Sequence, residues 1–425
     1  MATGNNTVDL NTVGRRVVVT GLGALSPLGS DPSEIHEALV NGQRGLREIE
    51  NFKTEDLDVH VGGEIAFNGR DYLGRERNLR PIDRTGQLTI IAAKLALEAA
   101  GLDPANVGEG DAGLVLGTMY GSVGTIARFD RRAVEAGPKY AKPFEFANSV
   151  INAAAGQTAI WYGLRGTNST VAGGAAAGLK ALAYAADQIR QGRADLLLAG
   201  GAEELCSESF LGFYRSGRMA GTHGAEAHSI PFAANRNGFL LGEGAAILVL
   251  ESAESAAARG AAPLAEIISH GSAFDPSLGN DDTSAVAASQ RAMQIALDAA
   301  SEAASGINVD IFAASANGSP AGDRREAQAL SAVLGEAARD LPVMAVRGAL
   351  GESLGAGGAF QALTLVEAMR RREAPGIAGL ESLEDGLQIS PSTDSYQGPL
   401  QRGLLHAMSF EGSACAVVLD APPSS

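Results

Sequence analysis

The sequence predicts an α/β fold. Short apolar, β-branched runs that close on glycine alternate with stretches of helical length, the pattern of strands connected through helices. Several runs are apolar at almost every position, which suits interior strands of a covered and largely parallel sheet. After the Ala/Gly stretch Ser255–Pro263 the pattern begins again, so the second part of the chain echoes the first.

Taken in order, Arg15-Arg-Val-Val-Val-Thr-Gly-Leu-Gly23 is an apolar run ending in a glycine turn, a buried strand by length and β-branching. Asp31-Pro32 with Glu34 supplies an N-cap, a proline at the first helical position and an acidic first turn. Gln87–Ala100 is an amphipathic helix closed by Gly101, and Asp111–Gly117 is a second buried strand. Ser122–Ala136 is a helix ending at Gly137-Pro138, and Pro143-Phe-Glu-Phe146 opens another. Ser169–Ala172 reads as a short strand and Gly173-Gly174 as a sharp turn. Ala175–Gln191 is then a buried helix stopped by Gly192. Ala194–Gly201 and Ala245–Glu251 are interior strands. In the second part, Val309–Gly318 echoes Asp111–Gly121, and Arg347–Arg371 echoes the glycine turn and small-residue helix. Ala414–Leu419 is an apolar strand.

The composition, 45% hydrophobic over 425 residues, suffices for a large core, and no run of eighteen apolar residues suggests a membrane span. A net charge of −16 argues against nucleic acid, whose phosphates need a basic surface. It also gives an acidic carrier protein no long-range attraction to this chain. The Gly-x-Gly after the first strand lacks the third glycine and the acidic ribose ligand of a dinucleotide site, so no cofactor is expected. The six histidines show no metal-ligand spacing, and no metal is expected. Cys206 and Cys415 make no disulfide framework, which suits a reducing cytoplasm; neither is expected at a helix start, and both read as packing residues.

Strand, tight turn and buried helix N-terminus at Gly166–Lys180 together make a seat for a nucleophile, exposed by the turn and activated by the helix dipole. The seat holds Ala175, which has no reactive group. This stretch resembles the nucleophile turn of the β-ketoacyl synthases, of the thiolase superfamily, in which a Cys that takes the acyl chain stands at the position of Ala175. The opening strand and loop, Arg15–Gly29, is similar to theirs. So is Pro231-Phe-Ala-Ala-Asn-Arg-Asn-Gly-Phe-Leu-Leu-Gly-Glu-Gly244, which keeps Arg236, Gly238, Phe239, Gly242, Glu243 and Gly244 of the family signature and departs at Ala233 and Asn237. The resemblance spans Arg15–Asp420. It implies a thiolase-like, duplicated five-layer αβαβα fold, with a loose arm at 1–14, halves at 15–254 and 255–420, and a tail at 421–425.

The resemblance also implies two histidines and a lysine for extender binding and decarboxylation. Asn317, in Ala316-Asn-Gly-Ser319, stands at the first His. Glu352 stands at the second, and Arg347 replaces the Lys. Asn317 cannot change charge near neutral pH as an imidazole can. An ionised Glu352 would repel the enolate that decarboxylation creates, while Arg347 is spaced to pair with it. Phe410 matches a gating Phe, with Glu411 in place of a flexible Gly. No catalytic residue is therefore expected. The chain is most similar to a chain length factor, the subunit that pairs with a catalytic ketosynthase, although the Gln often found at the Cys position in those subunits is absent. That likeness implies a heterodimer that elongates a polyketide or fatty-acyl chain on acyl carrier protein, with the carrier docking mainly on the partner. It also implies a tunnel wall at Val123, Ile126 and Asp130, which share one helical face; a charge at Asp130 would be costly there unless water or a basic partner reaches it. Two other readings stand beside it. One is an enzyme of altered chemistry using Glu352 and Asn317, a decarboxylase or acyltransferase; the other is a homodimeric acyl-binding scaffold.

Overall fold

The computed structural model describes residues 14–75, 78–277, 282–303 and 308–422. The expected N-terminal arm, apart from Gly14, and the last three residues of the tail lie outside the described residues. Ten strands form one sheet: β1 (Val17–Leu25), β2 (Gly113–Thr118), β3 (Asn168–Ala172), β4 (Leu196–Glu203), β5 (Gly244–Ser252), β6 (Ala265–Phe274), β7 (Ile311–Ala313), β8 (Val343–Met344), β9 (Arg402–Met408) and β10 (Ser413–Asp420). Their order is β8-β7-β9-β10-β6-β1-β5-β4-β2-β3. From the middle outward, β1-β5-β4-β2-β3 repeats as β6-β10-β9-β7-β8, so every strand of the first half has its counterpart five strands later. The halves meet at an antiparallel seam in which Val17, Val18 and Val19 face Ile267, Glu266 and Ala265. The boundary expected after residue 254 falls inside a short helix, Ala253–Ala258, that links β5 to β6.

The sheet is mixed rather than largely parallel. β2 runs parallel to β3 and β4, and β7 to β8 and β9, but β5 and β10 are antiparallel to both their neighbours. The apolar runs misled because burial on both faces sets their composition, whichever way the neighbour points.

The principal helices are α1 (Arg84–Ala99), α2 (Val123–Glu135), α3 (Ala153–Tyr162), α4 (Ala177–Arg190), α5 (Asp282–Ala303), α6 (Pro320–Leu334) and α7 (Gly357–Arg371). α4 and α7 fill the space between the two halves of the sheet. α1 and α3 cover the first half outside, and α5 and α6 the second, which makes five layers. Alternation along the strands produces this sandwich. In β5, Ala246, Leu248 and Leu250 enter the inner core with Leu179 and Leu182, whereas Ala245, Ile247 and Val249 enter the outer core with Ile90 and Ile91. In β10, Cys415, Val417 and Leu419 face inward, and Ala414, Ala416 and Val418 face Met293 and Leu297 of α5. Each such large aliphatic side chain contributes about 1.5–3 kcal/mol by leaving water.

The small residues of α4 and α7 have a steric cause. A Cβ at Gly178 would lie 2.7 Å from the Gly355 carbonyl, and one at Gly358 would lie 2.7 Å from the Leu179 amide. The two helices approach too closely for side chains. The helix expected at Ala175–Gln191 begins as a 3-10 turn, Gly174–Ala176, and becomes α only at Ala177. Pro143–Phe146 remains a single turn.

Candidate functional site

The N-terminal end of α4 opens on a cavity of about 310 Å³, lined in part by Ala175, Asn317, Arg347, Glu352, Phe410 and Arg218. The fold brings together four positions far apart in sequence. Ala175 comes from the turn after β3, Asn317 from the loop between β7 and α6, and Arg347 and Glu352 from the turn before α7. The Pro231–Gly244 stretch holds the second of these turns from behind: Glu352 N–H donates to the Leu240 carbonyl at 2.8 Å, and Gly242 N–H to the Glu352 carbonyl at 3.0 Å. Arg236 in the same stretch sits 3.2 Å from Asp323, which accepts the Phe232, Asn317 and Gly318 amides. Burial pushes the Asp323 carboxyl up to about 7 against those donors.

Inside the cavity Arg347, Glu352 and Asn317 bond to one another, although Arg347 Nε is buried without a partner. Arg347 Nη1 lies 3.1 and 3.0 Å from the two Glu352 oxygens, and Asn317 Nδ2 donates to Glu352 Oε2 at 2.7 Å. Leu354 N–H gives Glu352 a further donor at 2.8 Å. Arg347 Nη2 donates to Gln361 Oε1 at 2.8 Å and to the Ala175 carbonyl at 3.3 Å. Glu352, buried, is thus held by a guanidinium, a side-chain amide and a backbone N–H, charge-assisted hydrogen bonds that fix its position.

The turn at Ala175 is closed as well. Ala175 N–H, at the head of the helix, is the donor that would face an oxyanion formed beside it, but it donates to Ser409 Oγ at 2.8 Å. Ser409 in turn donates to the Glu411 carboxylate. Gly174, at φ 59°, is required here: a Cβ would overlap Ser409 Oγ and the Glu411 carboxylate. Phe410 packs 5.3 Å from Phe213 and 5.5 Å from Phe239, with the Arg218 guanidinium 5.3 Å from its ring centre. Sequence reasoning missed Ser409, Gln361 and Arg218. Glu411 in place of a glycine was the one visible signal.

Val123 and Ile126 are half-buried on α2, Asp130 is exposed, and none of the three lines the cavity within this chain. The charge of Asp130 is therefore solvated here. The buried side of α2 is at Gly124, whose N–H donates to Glu204 Oε1 at 2.9 Å. Burial and neighbouring Asp83 push Glu204 up to about 8. The adjacent Glu203, pushed by burial up to about 7, accepts Met119, Tyr120 and Gly355 amides and so ties the loop after β2 to the turn before α7. Contrary to expectation, Cys206 does stand at a helix start, as the N-cap of Ser207–Arg215. Burial, with Glu204 beside it, pushes its thiol up to about 11, so the helix dipole does not activate it.

Two family descriptions match the chain: Beta-ketoacyl synthase, N-terminal domain, over residues 14–256, and Beta-ketoacyl synthase, C-terminal domain, over residues 264–381. The chain belongs to the β-ketoacyl synthase family. A 3-oxoacyl-[acyl-carrier-protein] synthase 2 of Staphylococcus aureus (strain N315) is 33% identical over 354 residues, covering 82% of this chain and 84% of that protein. Among solved structures, the ishigamide ketosynthase/chain length factor superposes with a TM-score of 0.88 at 29% identity, covering 96% of this chain and 100% of that one. A type II PKS acyl-carrier protein in complex with its ketosynthase bound to the hexaketide gives 0.84 at 25% identity, with coverage of 96% and 100%. The thiolase-like αβαβα fold is thus the fold of the β-ketoacyl synthase family.

Proposed function

We propose that this chain is a ketosynthase-like subunit without condensation chemistry of its own, the chain length factor of a heterodimer with a catalytic β-ketoacyl synthase. The closed network around Ala175 carries this reading: no nucleophile, no titrating imidazole, and an amide donor already occupied by Ser409. The likeness to a ketosynthase/chain length factor supports it. In this reading the partner subunit supplies the reactive Cys and histidines, and acyl carrier protein delivers malonyl units mainly to the partner. Val123, Ile126 and Asp130 line the end of a tunnel completed by that partner, and the packed Phe410 keeps its loop shut rather than gating it.

The test is acylation. Incubating the reconstituted pair with a reactive acyl thioester and mapping adducts by peptide mass spectrometry should place the acyl group on the partner alone, with none between Thr167 and Lys180. Ala175→Cys should remain unacylated, because its oxyanion donor is taken. Acylation and turnover by the lone chain would overturn the reading. A second reading, an enzyme of altered chemistry, draws on the relatives named as 3-oxoacyl-[acyl-carrier-protein] synthase 2 and on the polar cavity that remains. Consumption of malonyl thioester by the isolated chain would decide for it.

A further inference from the structure

The helix α2 starts without a local cap. A helix leaves its first N–H groups without partners of its own, and the side chain before it usually supplies an acceptor. Ser122 precedes α2, but its side chain makes no capping bond and its buried Oγ makes no aligned hydrogen bond. The acceptor comes instead from just beyond β4: Gly124 N–H donates to Glu204 Oε1 at 2.9 Å. The first turn of α2 lies flush on that carboxyl, since a Cβ on Gly124 would sit 2.9 Å from Glu204 Oε1 and 3.2 Å from Cys206 Cβ.

The surroundings of Glu204 disfavour its charge. Glu204 and Asp83, the N-cap of α1, are both buried. Asp83 Oδ1 accepts the Gly86 amide at 2.8 Å, while its buried Oδ2, facing the Ser122 hydroxyl, makes no aligned hydrogen bond. Glu203, at the end of β4, adds a third buried carboxyl. Of the cations, Arg84 is held by Glu243 at 2.7 and 2.6 Å, and Arg128 of α2 bonds Thr125 Oγ1 at 2.7 Å. Arg131 of α2 is engaged farther along, 3.2 Å from Glu208, and the Cys206 thiol stays protonated. The helix dipole and the Gly124 N–H favour an ionised Glu204. Burial and Asp83 outweigh them and push it up to about 8, against an ordinary value of about 4.3. We propose that Glu204 is a proton-operated latch on α2: with its proton the carboxyl seats the first turn, and without it the charge reaches water by lifting that turn away. The route is short, because the guanidinium of the exposed Arg128 lies 3.5 Å from the same Cβ position on Gly124. The seated state holds a proton that the lifted state gives up. Seating is therefore fully favoured below about pH 4 and weakens as pH rises toward 8. The latch acts on the helix that carries Val123 and Ile126.

Amide hydrogen exchange of the full-length chain, followed from about pH 5 to about pH 9, reads the latch directly. After correction for intrinsic exchange chemistry, the opening constant at residues 124–127 should rise by up to about 10-fold per pH unit and level off above pH 8. The amides of α7, buried from Gly357 to Met369, report global opening and should change less. Glu204→Gln keeps an oxygen for Gly124 but has no proton to lose. Its protection at α2 should be flat with pH and at least ~10-fold above wild type at pH 8. Asp83→Asn keeps a capping side chain for α1 and removes the facing charge, so the levelling off should come at a lower pH. Three results would each overturn the latch: α2 exchange that tracks α7 at every pH, wild-type pH dependence in Glu204→Gln, or an unmoved plateau in Asp83→Asn. The measurement needs no partner subunit and no acyl substrate, so its failure is distinct from a failure of the proposed function.

Discussion

The two halves of the molecule share strand order and a central turn leading into a buried helix, yet they end differently. The last strand of the first half, β3, is half-exposed along its length; its counterpart β8 is buried at both residues. Nine of the eleven exposed large hydrophobics among the described residues lie in the first half, and only Phe274 and Tyr396 in the second. The central turns diverge too. The first presents the methyl group of Ala175, whereas the second carries Arg347 and Glu352 and leads into α7, buried without interruption from Gly357 to Met369. Duplication supplies the frame, and the copies differ at two places: one edge is sealed and the other open, one turn carries only the methyl of Ala175 and the other a charged pair.

The largest effect should come from the charged turn. Arg347→Met leaves the Glu352 carboxylate buried and unpaired, and should lower stability by about 3–5 kcal/mol in chemical denaturation. Adding Glu352→Leu should restore most of the loss. The equivalent cut in the turn at Ala175, Ser409→Ala, removes two hydrogen bonds and should cost only about 2 kcal/mol. Equal losses would erase the contrast between the turns.

A smaller effect separates the halves by pH. Glu203 and Glu204 in the first half and Asp323 in the second have folded-state pKa values of about 7, 8 and 7, above their unfolded values. The folded chain therefore holds protons that the unfolded chain gives up. The resulting stabilisation is complete below about pH 4 and is lost as pH rises toward 7 for Glu203 and Asp323 and toward 8 for Glu204. Midpoints measured across this range should fall as pH rises, and Glu204→Gln should remove the part of the slope above pH 7. An unchanged slope in that variant would show that the first half contributes no late-titrating acid.

The smallest effect on stability should accompany the clearest effect on product. Val123→Phe or Ile126→Trp, at half-buried positions of α2, should change stability by no more than about 0.5–1 kcal/mol and leave the pair intact. In the reconstituted heterodimer either should shorten the product by one or more extender units. If product length holds while the pair still turns over, the open face of the first half does not bound the growing chain.

Much of the frame was legible because it follows from local rules. Asp31 caps its helix through the Ser33 amide, Ser122 and Ala136 flank α2, and the apolar runs at Val17–Leu25 and Ser413–Asp420 are strands. Strand direction was not legible, since an interior run of Val, Leu and Ala carries no mark of which way its neighbour runs. Within the site, Arg347 and Glu352 are five residues apart, and that spacing admitted their pairing. Ser409 caps an amide 234 residues away, and nothing in either local sequence announces the contact. Cys206 was misplaced because its helix starts without an N-cap side-chain bond, leaving no signal at the boundary.

The Ser409–Glu411 clasp at the head of α4 limits what any one substitution can do to this turn. A thiol placed at 175 would meet an occupied amide and a carboxylate alongside, which favours the protonated, unreactive form. Removing Glu411 first strips Ser409 of its acceptor and brings no nucleophile. No single substitution both supplies a thiol and frees the amide, so the two halves of the clasp have to be changed together.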